Sequence, residues 1–109
     1  MKILLSLALT ASLGLALTAS ADVKETFAKE CVKCHGADGK GDTKMGKKAV
    51  VKDFTDAKTF EGKTDAALFK SVKEGVKDGD KTRMKAYGEE GLSDDDIKAL
   101  VAYVRTLKK

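Results

Sequence analysis

Cys31-Val32-Lys33-Cys34-His35 is the stretch on which this chain turns, because it gathers both of its cysteines and its single histidine. Two thiols at this spacing stand one helical turn apart, which lets both add across the two vinyl groups of a haem. The next residue then presents an imidazole to the iron. Three other chemistries use part of the set. A disulfide closing so small a loop removes little chain entropy and leaves His35 without a role. A thioredoxin-like pair follows a strand in a βαβ pattern, and none flanks this segment. A structural zinc site takes four ligands and would have to recruit an Asp or Glu. The haem reading alone uses Cys31, Cys34 and His35 together.

Upstream, Val23, Phe27 and Cys31 recur every fourth residue and predict a first helix over 23–31 whose packing face leads into the cysteines. Before it, Met1 and Lys2 precede an apolar run from Ile3 to Leu17 and the small residues Ala19, Ser20 and Ala21. This is the pattern of an export signal cleaved after Ala21. The alternative, an uncleaved anchor, is disfavoured by Ser6, Thr10, Ser12 and Thr18 within a run that barely reaches spanning length. The expected organisation is a signal peptide over 1–21, one domain over 22–109 and a periplasmic location. Export agrees with the haem reading, since covalent attachment of this kind is completed outside the cytoplasm. The leader holds one basic and no acidic residue, so its loss lowers the formal charge of +4 by one. That balance is too mild for a nucleic-acid binder. A domain of this size has a meagre core unless a prosthetic group fills it.

Downstream, Gly36, Gly39 and Gly41 punctuate a polar stretch that reads as loop. Asp38 to Asp42 only faintly resembles a calcium loop, with Lys40 at a ligand place and Ala49 where a closing Glu belongs. A short helix is expected over 45–51, and Phe54 and Phe60 stand as apolar anchors in polar connections. Thr64 is placed to cap a helix that stops at Gly75. The last helix is the clearest: Ser93 caps it, Asp94 to Asp96 sit at the positive end of its dipole, and Ile97, Leu100, Val101 and Val104 form one stripe. Leu92 and Ile97 are spaced for a hydrophobic staple. No long alternation suggests a sheet, so the fold class is all-α with long connections.

The attachment segment, with Met84-Lys85-Ala86-Tyr87-Gly88 and the run from Leu92-Ser93 to Leu100-Val101-Ala102-Tyr103-Val104, resembles a class I bacterial cytochrome c over essentially the whole domain. The resemblance implies a small cytochrome c-like fold of three to five helices wrapped around one covalently attached haem c. It implies crossing first and last helices, with Phe27 against Leu100 or Tyr103. It also implies His35 and Met84 as axial ligands of the iron. From the residues alone, a thioether opposite the imidazole suits an electron carrier. Met45 remains open beside Met84 on that reading. Lys85 stands where the family often has proline. His35 is expected to donate its second ring nitrogen to a carbonyl. Pocket walls are drawn from Val50, Val51, Phe54, Phe60, Leu68, Phe69, Val72, Tyr87 and Leu92. Lys33, Lys47, Lys48, Lys81 and Lys85 are candidates to ring the haem edge and steer acidic partners.

The expected function is one-electron transfer between a donor and an acceptor redox protein by a monomer. No enzymatic activity, nucleic-acid binding or stable membrane insertion after cleavage is expected. The competing readings are a haem enzyme or gas-binding protein with an open sixth iron position, and a thiol oxidoreductase.

Overall fold

The computed structural model describes residues 15–109, and side chains from Asp22 onward. The leader expected over 1–21 therefore lies mostly outside the described residues. Among those described, the chain forms α1 (Leu15–Glu30), α2 (Val32–His35), α3 (Lys44–Ala49), a 3-10 turn (Ala57–Phe60), α4 (Asp65–Glu74), β1 (Val76–Asp78), β2 (Lys81–Met84) and α5 (Asp94–Arg105). The backbone of α1 begins well before the expected Val23, because no proline or turn residue interrupts this run. None of the described helices is long and apolar enough to cross a membrane.

The core lies where α5 packs on α1 and on α4. The stripe read from the sequence delivers Ile97, Leu100 and Val101 into it, and Ile97 is fully buried. Phe27 from α1 meets Tyr103 from α5 with ring centroids 5.0 Å apart. The expected crossing of first and last helices is present, with the tyrosine as contact.

The caps explain why α4 and α5 begin where they do. The Thr64 hydroxyl accepts from Ala67 N at 3.0 Å. The Ser93 hydroxyl accepts from Asp96 N and the Asp96 carboxylate accepts from Ser93 N, both at 3.1 Å, closing a capping box. Two ties staple α4 to α5. Lys73 pairs with Asp94 at 3.0 Å near one end. Near the other, Arg105 donates to Asp65 at 2.7 Å and to the Lys63 carbonyl at 2.9 Å while lying over the Phe60 ring.

The sequence offered no strand, yet β1 and β2 pair as an antiparallel hairpin, with Val76 opposite Met84 and an irregularity after Val76. Its strands are too short and polar to show an alternation. The all-α class stands with this small addition, and Met84 ends a strand rather than lying in a free loop.

Candidate haem site

The turn joining α1 to α2 presents the attachment residues. Cys31 N donates to Phe27 O at 2.9 Å and His35 N donates to Cys31 O at 2.9 Å, so the helical path carries through the cysteines and sets their thiols one turn apart. Both thiols are free and half-buried. Burial, helped by the Glu30 carboxylate and then by Cys34, pushes the Cys31 thiol up to about 11. A dithiol oxidoreductase runs on a depressed thiol pKa, so this environment opposes that reading.

His35 stacks on Phe54 with centroids 4.6 Å apart and rings 17° from parallel, and Phe54 in turn stacks on Phe60 at 5.8 Å. The two isolated phenylalanines of the sequence thus form one apolar backing for the imidazole. Burial lowers the His35 pKa and favours the neutral ring, the form that ligates metal. Its Nδ1 is buried with no hydrogen-bond partner among the described residues. The expected donation to a carbonyl is therefore not made there: the ring is laid flat against an aromatic face instead. An unsatisfied buried ring nitrogen costs about 1–3 kcal/mol.

The attachment segment rests directly on α3. Thr43 Oγ1 donates to the Cys34 carbonyl at 2.7 Å and accepts from Gly46 N at 2.8 Å. A Cβ on Gly46 would collide with the Cys34 carbonyl and stand 2.6 Å from the Gly41 carbonyl, so only glycine admits this approach. Gly41 itself, at φ 71°, turns the chain so that its N–H donates to His35 O at 2.7 Å.

Beside Cys34 opens a cleft of about 350 Å³ walled by α3 and the hairpin, with Met45, Lys48, Val50, Lys81 and Arg83 around it. Met45 and Val50 are 43% and 66% exposed, the large apolar side chains most open to solvent among the described residues. Met84, half-buried at the end of β2, adjoins this cleft through Arg83 but does not line it. Of the five lysines proposed to ring the haem, Lys48 and Lys81 border the cleft, whereas Lys47 pairs with Asp42 at 3.1 Å and Lys85 with Glu90 at 3.4 Å.

Tyr87 is buried, and its hydroxyl donates to the Glu30 carbonyl at 2.9 Å, tying the segment after Met84 to the end of α1. Burial first, and then the nearby Cys31, Glu30 and Cys34, raise its pKa to about 12. Arg83 is a second tie: Nε donates to Ala49 O at 3.0 Å and Nη2 to Val50 O at 2.9 Å. Sequence reasoning gave neither contact, and the only available signal was an arginine immediately before the candidate methionine.

The donor set fits a covalently held haem: two free thiols one turn apart, a half-buried imidazole whose neutral form is favoured, and a half-buried thioether from a separate element. No group of three or more His, Cys, Asp or Glu side chains is placed to hold a metal ion among the described residues, so nothing there completes a zinc site.

The family model described as Cytochrome c matches residues 20–108. The chain is also similar to a solved structure titled KustC0563 c-type cytochrome, at 29% identity, covering 79% of this chain and 96% of that one, with a TM-score of 0.69. A Tyr-to-Phe mutant of Kustc0563 is similar at 30% identity, covering 80% of this chain and 99% of that one, with a TM-score of 0.67. No curated protein matches the sequence.

Proposed function

The chain belongs to the cytochrome c family, whose members hold covalently attached haem c and carry electrons, and from that premise we propose that it is a periplasmic monohaem carrier of single electrons between redox proteins. Cys31 and Cys34 would hold the haem by thioethers, and His35 and Met84 would bind its iron. The bound haem supplies one-electron cycling of its iron; the polypeptide does the rest. The observation that carries the reading is the His35 ring, half-buried, stacked on Phe54 and held next to two free thiols, where burial favours its neutral form.

Two features favour Met84 over Met45 as the second ligand. Met45 belongs to α3, which lies against the attachment segment itself, whereas Met84 comes from a separate element that could supply a donor opposite His35. Met84 is also the better shielded thioether. Fixed ligands and aromatic backing limit rearrangement as the iron changes charge, which is what electron transfer without a bound substrate requires.

Mass spectrometry of the exported protein tests attachment: the expected mass is that of residues 22–109 plus one haem, with neither thiol free to alkylate. A low-spin Met-ligated spectrum with slow, weak carbon monoxide binding to the reduced protein is expected. Rapid, tight carbon monoxide binding would favour the open-site reading instead.

A further inference from the structure

One side chain joins the strand that carries Met84 to the helix on which the attachment segment rests, and we propose that Arg83 is a positioning residue that holds Met84 in its ligating place. The proposal rests on Met84 being an axial ligand.

The contacts form an unbroken path. Arg83 spans α3 with both arms of its fork, Nε to Ala49 O and Nη2 to Val50 O. These are carbonyls at the end of α3, where a helix leaves acceptors unsatisfied and its dipole favours a cation. A planar guanidinium fixes direction as well as distance, because two donors are held in one rigid frame. The anchor at the other end is firm. Gly46 lies against the Cys34 carbonyl, Thr43 bonds that same carbonyl, and Val50 N closes the helix on the Gly46 and Lys47 carbonyls.

Val50 takes a left-handed conformation at φ 58°, which a β-branched residue adopts at a cost of about 1–2 kcal/mol. That conformation turns the chain at the helix end where Arg83 binds. It therefore persists against its local preference at the point where the two segments are tied.

The hairpin itself is largely open to solvent, and the segment just after it bonds back to α4 through Tyr87 N to Val72 O at 3.0 Å and Gly88 N to Lys73 O at 3.1 Å. β1 is exposed apart from Val76, and β2 is exposed at Lys81 and Thr82. Lys85, in place of a stiffening proline, makes an exposed pair with Glu90 and lies over the Tyr87 ring, with Nζ 5.4 Å from its centroid. Successive side chains of a strand point to opposite faces, so clamping Arg83 onto α3 sets the roll of β2 and with it the direction of Met84.

The test uses the haem-loaded protein and free imidazole as a competitor for the Met84 position at neutral pH. Arg83→Gln is expected to keep covalent haem and helix content while binding imidazole about tenfold more tightly, since losing two charged hydrogen bonds raises the fraction of Met-off protein. Arg83→Lys, with a cation but no fork, is expected to fall between. Met84→Ala binds imidazole most tightly, and adding Arg83→Gln to it is expected to change nothing more, because Arg83 then has no ligand to position. Unchanged imidazole affinity in Arg83→Gln overturns the proposal, as does an equal further gain in the Met84→Ala background. Should Arg83→Gln fail to accumulate, unchanged affinity in Arg83→Lys overturns it in the same way. Wild-type imidazole affinity in Met84→Ala overturns Met84 ligation itself, and the positioning role with it.

Discussion

The attachment side and the methionine side of this molecule are held by different kinds of contact. Cys31 to His35 lie within a helical path between α1 and α3, backed by Phe54 and pressed on by a glycine that tolerates no side chain. Met84 ends a short, largely exposed strand tied to α3 by the Arg83 fork and, beyond it, to α4 by Tyr87 N and Gly88 N and to α1 by the Tyr87 hydroxyl. One side is packed by contiguous sequence; the other is delivered from far along the chain and clipped into place. Stability is not uniform in such a structure, and the clipped side is the one expected to open first.

The largest expected effect separates the two sides outright. Met84→Ala is expected to abolish the Met-to-iron absorption band entirely while the haem stays covalently attached, read by spectrum and mass on one sample. Survival of the band would move ligation to Met45 and erase the contrast.

Ile97→Ala hollows the fully buried centre of the core where α5 packs on α1 and α4. It is expected to cost about 3 kcal/mol in denaturant unfolding, as large-to-small changes at buried sites do. The Met band at neutral pH should be intact before the unfolding transition. Bleaching well before it would show that the core, and not the clip, holds the methionine.

Tyr87→Phe removes the link between the methionine segment and α1, at an expected cost of about 1 kcal/mol. The folded-state pKa of Tyr87 lies above its ordinary value, 10.0 against about 12. Folding therefore favours the protonated phenol, and its contribution is fully present below pH 10.0 and lost as pH rises toward about 12. Unfolding curves across that window should fall less steeply with pH in the variant than in the parent.

The smallest effect has the opposite sign. Val50→Gly relieves the left-handed strain at the Arg83 anchor and is expected to stabilise by about 0.5 kcal/mol, the strain relieved less the added backbone freedom of glycine. A thermal midpoint that drops instead would mean that the exposed Val50 side chain contributes more than its backbone costs.

Much of the framework was readable beforehand. The limits of α4 and α5 follow from Thr64, Gly75 and Ser93, because caps act within one turn of the residues that make them. The resemblance put Phe27 against Leu100 or Tyr103, and the structure makes Tyr103 the contact. Other features were hidden. The hairpin was missed because Lys77 to Met84 carries no alternation. Phe54 was read as a lone anchor, and nothing along the chain places its ring on His35. A carbonyl was expected there and an aromatic face was found.

By itself the sequence determined the chemistry of the attachment segment, the helices with their own caps and stripes, and the loop that glycine permits. These depend on residues a turn or two apart, where spacing and geometry are the same thing. Only the tertiary structure decided that Phe54 backs the imidazole, that Arg83 reaches back to Ala49 and Val50, and that Tyr87 closes on Glu30. Such contacts join residues far apart in the chain, and they form only after packing has met the entropy of closing the loops between them. Spacing along the chain carries no record of that outcome.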